Sequence, residues 1–389
     1  MTFAAFLRSL RNSRSIRDAH LLRVEVSRLA LAHNARTLKQ LIGGRSLAVV
    51  LKSNAYGHGL REVGKIADEL DSIDCLVVDS IVEARMLRGI GVRKPILIIG
   101  YVPKSRLQEL TRLRSVTLVV TSLDQVRDVV RLVHRPLSVH IKVDTGMHRQ
   151  GFYQDDLQKV LDFINKNKNI ILEGSYTHFA AAKNPAFPQE TKKQLASFQN
   201  WIKILIGKGY KPICHAAATA GAILYPDAHL NMVRVGIGLY GLWPSKEAKA
   251  FALERLKLKP VMQWKTIISE IKNVSKGEQI GYDFTESVDQ NSKIAILPVG
   301  YWHGYPRSLS SIGHVLVGGK RCKILGRISM DMTIINISDV PGAKVSDAVC
   351  LLGKSGQEEI SADDLAYLAD TINYEIVTRI NPLIKKMYS

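Results

Sequence analysis

A lysine, a tyrosine and two glycines fall within one short stretch of this sequence, VVLKSNAYGHG (Val49–Gly59). Lys52 ends an apolar, β-branched run, where an ammonium without a partner is costly to desolvate. A Schiff base between its amine and an aldehyde cofactor is one solution; a structural or solvent-exposed lysine is the other. Tyr56, four residues on, is a candidate to hydrogen-bond a phosphate, and Gly57 and Gly59 permit a tight turn beside a bulky group. Other chemistry-bearing residues recur at the ends of apolar runs. IKVDTGMHRQG (Ile141–Gly151) carries Lys142, Asp144 and Arg149, and an arginine there suits a bidentate carboxylate contact. EGSYTHFA places His178 at a similar end, where a histidine also reads as a satisfied structural residue. HAAATAG (His215–Gly221) contains Thr219 and is small enough for close approach by an anion. NMVRVGIGLYG (Asn231–Gly241) sets Arg234 in an apolar run, followed by Gly236 and Ile237, whose backbone N–H groups suit a phosphate. No Walker loop or dinucleotide fingerprint is present. In the second half, QIGYDFT contains Tyr282, VGYWHGYPR contains Tyr301, Tyr305 and Arg307, and LGRISMDM contains Arg327, Met330 and Asp331. A constrained GYD turn displays a phenol; packing of a β module is the other reading of these aromatics.

The elements that position these residues follow from the apolar pattern. Eight short β-branched runs occupy the first 240 residues: Leu47–Lys52, Cys75–Asp79, Ile96–Gly100, Thr117–Thr121, Ser138–Asp144, Leu172–His178, Ile213–Ala216 and Met232–Gly236. Most are continuously apolar, as expected of strands covered on both faces. Helical patterns lie between them: Val63, Ile66, Ala67 and Leu70 share one face, Ser122 suits an N-cap, and Gln189–Lys208 predicts a longer helix. The alternation predicts a (β/α)8 TIM barrel, with a doubly wound sheet as runner-up. The barrel is preferred because Lys52, Asp144, His178 and His215 all follow apolar strand positions and would converge on one mouth. Near Trp243 the pattern changes to short strands with glycine-marked turns. The expected organisation is an N-terminal extension and strand at 1–27, a barrel at 28–248 and a separate, predominantly β C-terminal domain at 249–389. Leu22–Val26 is a candidate to join that distal module, Ser361–Ala369 predicts a helix and Tyr374–Ile380 a strand.

Composition narrows the function classes. Of 389 residues, 46% are hydrophobic and 23% charged, which argues for a globular fold and against disorder. Four scattered cysteines without a C-x-x-C pair disfavour structural zinc and a disulfide framework. No apolar h-region opens the chain and no run reaches about 18 apolar residues, so neither a signal peptide nor a membrane span is expected and a cytoplasmic location is. The net charge of +19 raises the question of nucleic acid, but the basic residues are spread along the chain and aromatics are only 7%, so no nucleic-acid partner is expected.

Taken together, the segments VVLKSNAYGHG, KVDTGMHRQG, EGSYTHF, HAAATA, NMVRVGIGLYG, IGYDFT, PVGYWHGYPR and GRISMDM resemble the pyridoxal-phosphate-dependent alanine racemase family (fold type III), in the family's order from Arg23 to about Ile380. The resemblance implies a barrel, a β domain, pyridoxal 5'-phosphate as cofactor and a homodimer with shared active sites. It implies that Lys52 holds the cofactor and transfers a proton on one face of the substrate, while Tyr282 of the partner subunit acts on the other. Tyr56, Thr219, Gly236 and Ile237 map to phosphate contacts, His178 to the cofactor-side histidine and Arg234 to the arginine facing the pyridine nitrogen. Arg149 maps to the residue near the phenolic oxygen and substrate carboxylate, with Met330 and Asp331 as further carboxylate-side contacts from the partner. Lys142 maps to a lysine that is carbamylated in many members. The implied activity interconverts L- and D-alanine and supplies D-alanine for peptidoglycan. A serine or broad-spectrum racemase and a pyridoxal-phosphate-binding protein with little catalysis are the alternatives, and no metal is implied.

Several positions depart from the family pattern. His148 stands where glycine usually precedes the arginine, and Ala218–Thr219 replaces asparagine–serine, keeping a hydroxyl and losing an amide. Asp283 replaces a frequent glycine, and Pro382 stands where a tyrosine usually contacts phosphate at the substrate entrance.

Overall fold

The computed structural model describes residues 20–389; the expectation for residues 1–19 lies outside them. The described chain forms two compact units, one of residues 28–261 and one of 20–27 with 262–389.

The first strand, β1 (Leu22–Val26), belongs to the second unit. The first unit is built on β2 (Ser46–Val50), β3 (Cys75–Val78), β4 (Ile96–Ile98), β5 (Val116–Val120), β6 (Leu137–Lys142), β7 (Ile170–Tyr176), β8 (Ile213–His215) and β9 (Met232–Val235). All eight predicted runs are strands. They pair in parallel in chain order from β2 to β8, and β9 returns to pair with β2. Between β8 and β9 the ladder is replaced by Asn231, whose N–H donates to the Cys214 carbonyl and whose Oδ1 accepts from the Cys214 N–H. The result is the expected α/β barrel.

Strand periodicity sends alternate residues to the interior. Ala48, Val50, Val77, Leu97, Val119, Tyr176 and Met232 form one buried cluster there. Each large apolar side chain in it contributes about 1.5–3 kcal/mol through burial. Arg234 lies two residues after Met232 on β9 and therefore projects to the same inner side. The outer residues face helices such as Leu60–Glu69, which buries Val63, Ile66 and Ala67. Ser122 caps Leu123–Leu132 by accepting from the Gln125 N–H. The unit runs past residue 248 to Val261. Trp243, Ala252 and Leu256 pack with Ile223, and buried Asn34 donates to the carbonyls of Leu239 and Lys259 while accepting from the Lys259 N–H.

The second unit carries β10 (Met262–Ile267), β11 (Glu270–Val274), β12 (Gln279–Ile280), β13 (Glu286–Ser287), β14 (Ser292–Leu297), β15 (His314–Val317), β16 (Lys320–Leu325), β17 (Thr333–Asn336), β18 (Ala348–Ser355), β19 (Glu358–Ile360) and β20 (Lys385–Tyr388). Its main sheet runs β11-β14-β17-β16-β15-β18-β10-β1-β20, so β1 lies between β10 and the last strand. Buried Trp264 and Tyr305 meet edge to face at 5.7 Å within it. The predicted helix is present at Ala362–Leu368, capped by Ser361. Tyr374–Ile380, expected as a strand, is helical over Asn373–Thr378. Buried Ile376, Val377 and Ile380 have helical spacing, which prevails over the β propensity of the segment. Among the described residues no helix is long and apolar enough to cross a membrane.

Candidate active site

Lys52 follows β2 directly and opens an unusual turn. Ser53, Asn54, Ala55 and Tyr56 all have φ between 52° and 57°, a run of left-handed residues without glycine. Such a conformation costs about 1–2 kcal/mol per residue. Backbone and side chains hold it in place. Glu83 accepts the Ser53 N–H at 2.8 Å and Asn54 Oδ1 accepts the Leu60 N–H at 2.9 Å. The N–H groups of Gly57 and Gly59 close on the carbonyls of Ser53 and Asn54. The turn leaves Lys52 partly exposed at the C-terminal end of its strand, with Nζ 3.8 Å from Asp79.

Tyr56, at the end of this turn, reaches β9. A Cβ on Gly236 would stand 2.5 Å from its hydroxyl oxygen, so glycine is required there. Thr219 Oγ1 accepts from the N–H groups of Gly236 and Gly238 at 3.2 and 3.3 Å. Burial pushes the Tyr56 phenol up to about 12, which keeps it a proton donor at neutral pH. Two hydroxyls and a glycine-rich backbone thus converge on one point, a suitable seat for a phosphate monoester.

Arg234 is the hub of the barrel interior. Its Nη1 donates to His215 Nδ1 at 2.5 Å, and its Nη2 donates to the carbonyls of Thr177 and Ala216 at 2.9 and 3.0 Å. His178 Nδ1 lies 3.4 Å from Nη2. The guanidinium also stands 4.7 Å over the Tyr176 ring, which stacks on His215. Burial lowers Arg234 to about 10, so it stays charged at neutral pH. Burial and the adjacent Arg234 drop His178 to about 3 and hold His215 well below its ordinary value. One permanent cation is therefore set among neutral imidazoles.

Lys142 ends β6 and is buried. Burial, then Arg149 and Arg234, lower its amine to about 8. Downstream, Asp144 Oδ1 accepts the N–H groups of Gly146, Met147 and His148, closing the loop that carries Arg149. His148 takes φ 54° there, a position where glycine is at ease.

The sequence-predicted barrel residues Lys52, Tyr56, Lys142, Arg149, His178, Thr219, Arg234, Gly236 and Ile237 thus lie at or beyond the C-terminal ends of the parallel strands, where such barrels place their sites. An amine, a phosphate seat and a fixed cation suit a flat cofactor with an aldehyde, a phosphate and a ring-nitrogen acceptor. Tyr282, Met330 and Asp331 belong to the second unit. Tyr282 is 67% exposed, on a turn with Gly281, Asp283 and Phe284 at positive φ. Arg327 Nε lies 2.9 Å from Asp283. Gly300 lets the chain before Tyr301 pass Met330, since a Cβ would stand 2.4 Å from the Met330 carbonyl oxygen. Glu83 and Tyr176 escaped the sequence reading; for Glu83 the signal was its place three residues after Ser80, a capping-box spacing.

Comparison with known proteins agrees with this geometry. The family described as alanine racemase, N-terminal domain, matches residues 26–244, and alanine racemase, C-terminal domain, matches residues 261–388. An alanine racemase of Leptospira interrogans is 36% identical over 383 residues, 96% of this chain and 97% of the relative. One from Symbiobacterium thermophilum is 38% identical over 367 residues, 94% and 96% of the two chains. The crystal structure of the Bacillus anthracis alanine racemase with bound L-Ala-P superposes with a TM-score of 0.89 at 33% identity, covering 95% of each chain. The chain belongs to the alanine racemase family, enzymes that use pyridoxal phosphate to interconvert L- and D-alanine.

Proposed function

We propose that Lys52 and Tyr282 are the two proton-transferring groups of this racemase, one for each face of the substrate Cα. The observation that carries this reading is the barrel mouth, where Lys52 stands on a locked turn beside the Tyr56–Thr219–Gly236 seat and the Arg234 hub. Pyridoxal phosphate, when bound, supplies the sink for the electron pair left at Cα as its proton departs. The protein residues do the rest. Tyr56, Thr219 and the N–H groups of Gly236 and Ile237 hold the phosphate. Arg234, charged and held by its own acceptors, donates toward the ring nitrogen and opposes its protonation, since a second cation beside it is repelled. His178 packs as a neutral ring at the cofactor side. Arg149 takes the phenolic side and the substrate carboxylate, joined by Met330 and Asp331.

Racemisation needs a donor and an acceptor on opposite faces of one carbon. Lys52 takes or returns the proton on its side. The phenol of Tyr282 serves the other, and we assign it to the partner subunit of a homodimer. Its exposure, and that of Phe284 at 65% and Met330 at 54%, support a surface completed by another copy. The D-alanine formed is assigned to cell-wall synthesis in the cytoplasm. Lys142 is assigned as a carbamate: its neutral amine adds to carbon dioxide, a C–N bond forms and a proton leaves. The product is an anion that accepts hydrogen bonds from Arg149.

The test is L-alanine with the holoenzyme in deuterium oxide, following Cα exchange and D-alanine together, then L-serine. D-alanine formed faster than D-serine is expected. Faster serine conversion overturns the alanine preference, and exchange without the opposite enantiomer overturns Tyr282 as the second group. A cofactor absorbance band with no exchange for either substrate overturns the catalytic reading in favour of a binding role.

A further inference from the structure

Behind Arg234, away from the barrel mouth, a line of polar groups continues that the reaction itself does not touch, buried at its two histidines and partly exposed at Glu173, whose side chain is 37% exposed. His215 receives a hydrogen bond from Arg234 on Nδ1, and its Nε2 lies 2.8 Å from His140 Nδ1. His140 Nε2 lies 3.6 Å from Glu173 Oε2, and the Thr117 hydroxyl donates to that same oxygen at 2.7 Å. His140 and His215 are 3% and 0% exposed. The strands are adapted to this line. The β6–β7 register shifts at Val139/His140, and a Cβ on Gly174 would stand 2.5 Å from the His140 ring.

A guanidinium donates and never accepts. His215 Nδ1 must therefore be bare, and its proton sits on Nε2. That proton points at His140 Nδ1, which must be bare in turn. The His140 proton then sits on Nε2, directed at the Glu173 carboxylate. Every proton in the line runs one way, from Arg234 inward to His215 and from His215 through His140 to Glu173.

We propose that Glu173 and His140 are positioning residues that lock His215 as the Nε2–H tautomer and so aim Arg234 at the cofactor ring, an inference that rests on the role assigned to Arg234 above. A carboxylate behind an imidazole makes the far ring nitrogen a better acceptor, as it does behind metal-bound histidines.

Nitrogen NMR of the holoenzyme labelled in its histidine rings reads the arrangement at rest. Both His140 and His215 are expected as neutral rings protonated on Nε2. Glu173→Leu is expected to mix the His140 tautomers and lower kcat about tenfold with KM changed less than about twofold. Glu173→Gln returns an acceptor oxygen and is expected to recover the tautomers and most of the lost kcat. A proton on Nδ1 of either ring in the parent enzyme overturns the proposal, whatever the variants do. So does a Glu173→Leu enzyme with unchanged tautomers and kcat. The expected tautomers in a chain that fails to racemise alanine would overturn the roles of Lys52 and Tyr282 and leave the lock standing.

Discussion

Arg234 in the barrel unit is 4% exposed and donates to three acceptors of its own unit, whereas Tyr282 in the β unit is 67% exposed on a turn of positive-φ residues. The same contrast holds for neighbours. Tyr56, Thr219 and Lys142 are half-buried or buried and fixed by strand ends, while Phe284, Trp302, Met330 and Met332 show large apolar side chains to water. Full burial of each would return about 1.5–3 kcal/mol. A buried cation must have its hydrogen bonds supplied by its own unit, because an unpaired one is too costly to fold around. An exposed phenol carries no such requirement, and its surroundings can come from a second chain. On the proposed reading the barrel holds the cofactor, and the β unit lends a group to a site completed by another copy.

The sharpest way to break that division is to mix two inactive subunits. Lys52→Ala is expected to lower turnover at least about 10⁴-fold and to abolish the imine absorbance, and Tyr282→Phe to lower it by about 10²–10⁴-fold. If each site takes Lys52 from one subunit and Tyr282 from its partner, a mixed dimer has one intact site. Dissociated and reassociated in equal amounts, the two variants should then recover about a quarter of the parent activity. Activity no higher than that of the variants alone would overturn the shared site.

The barrel half of this division was legible in the sequence because its signals are local. Five of the eight apolar runs ended in a polar residue (Lys52, Asp79, Thr121, Asp144 and His178), and strand direction alone carries Lys52, Lys142, His178 and Arg234 to one end. What stayed hidden depends on pairing between distant segments. The left-handed turn after Lys52 has no glycine until Gly57 to announce it, and it is held by Glu83 from the next strand–helix unit. The line from Arg234 to Glu173 needs the register of β6 against β7, which no single run contains. Tyr374–Ile380 misled for the same reason: a short β-branched stretch takes helical form when its buried positions demand it.

Glu83 offers a second, smaller test of how the barrel holds its chemistry. One oxygen accepts the Ser53 N–H and the other those of Asp79 and Ser80, so a single carboxylate ties the Lys52 turn to its neighbour. Glu83→Ala leaves these donors without it and is expected to cost about 1–3 kcal/mol. Thermal unfolding should fall by several degrees, and pyridoxal phosphate should be lost faster on dialysis. Glu83→Gln keeps one acceptor oxygen and should lie between. A lower Tm with unaltered cofactor retention would reduce Glu83 to a helix cap and remove it from the support of Lys52.

Lys142 tests the rule that the barrel furnishes its own cations, because it is 4% exposed and its amine is lowered from the ordinary 10.5 to about 8. Burial is the main cause, followed by Arg149 and Arg234. Between these two values the unfolded chain holds a proton that the folded chain has released. Stability therefore rises with pH across that window, and below about 8 the folded protein carries the full penalty of a buried ammonium. In buffer free of carbon dioxide, Lys142→Met should melt higher than the parent at neutral pH. Its advantage should shrink as pH climbs through the window. Bicarbonate should raise the parent alone, since only the parent has an amine to convert into an anion. A gap that ignores both pH and bicarbonate would mean that the ammonium is already compensated and that no carbamate forms. A gap that follows pH but ignores bicarbonate would keep the buried cation and discard the carbamate.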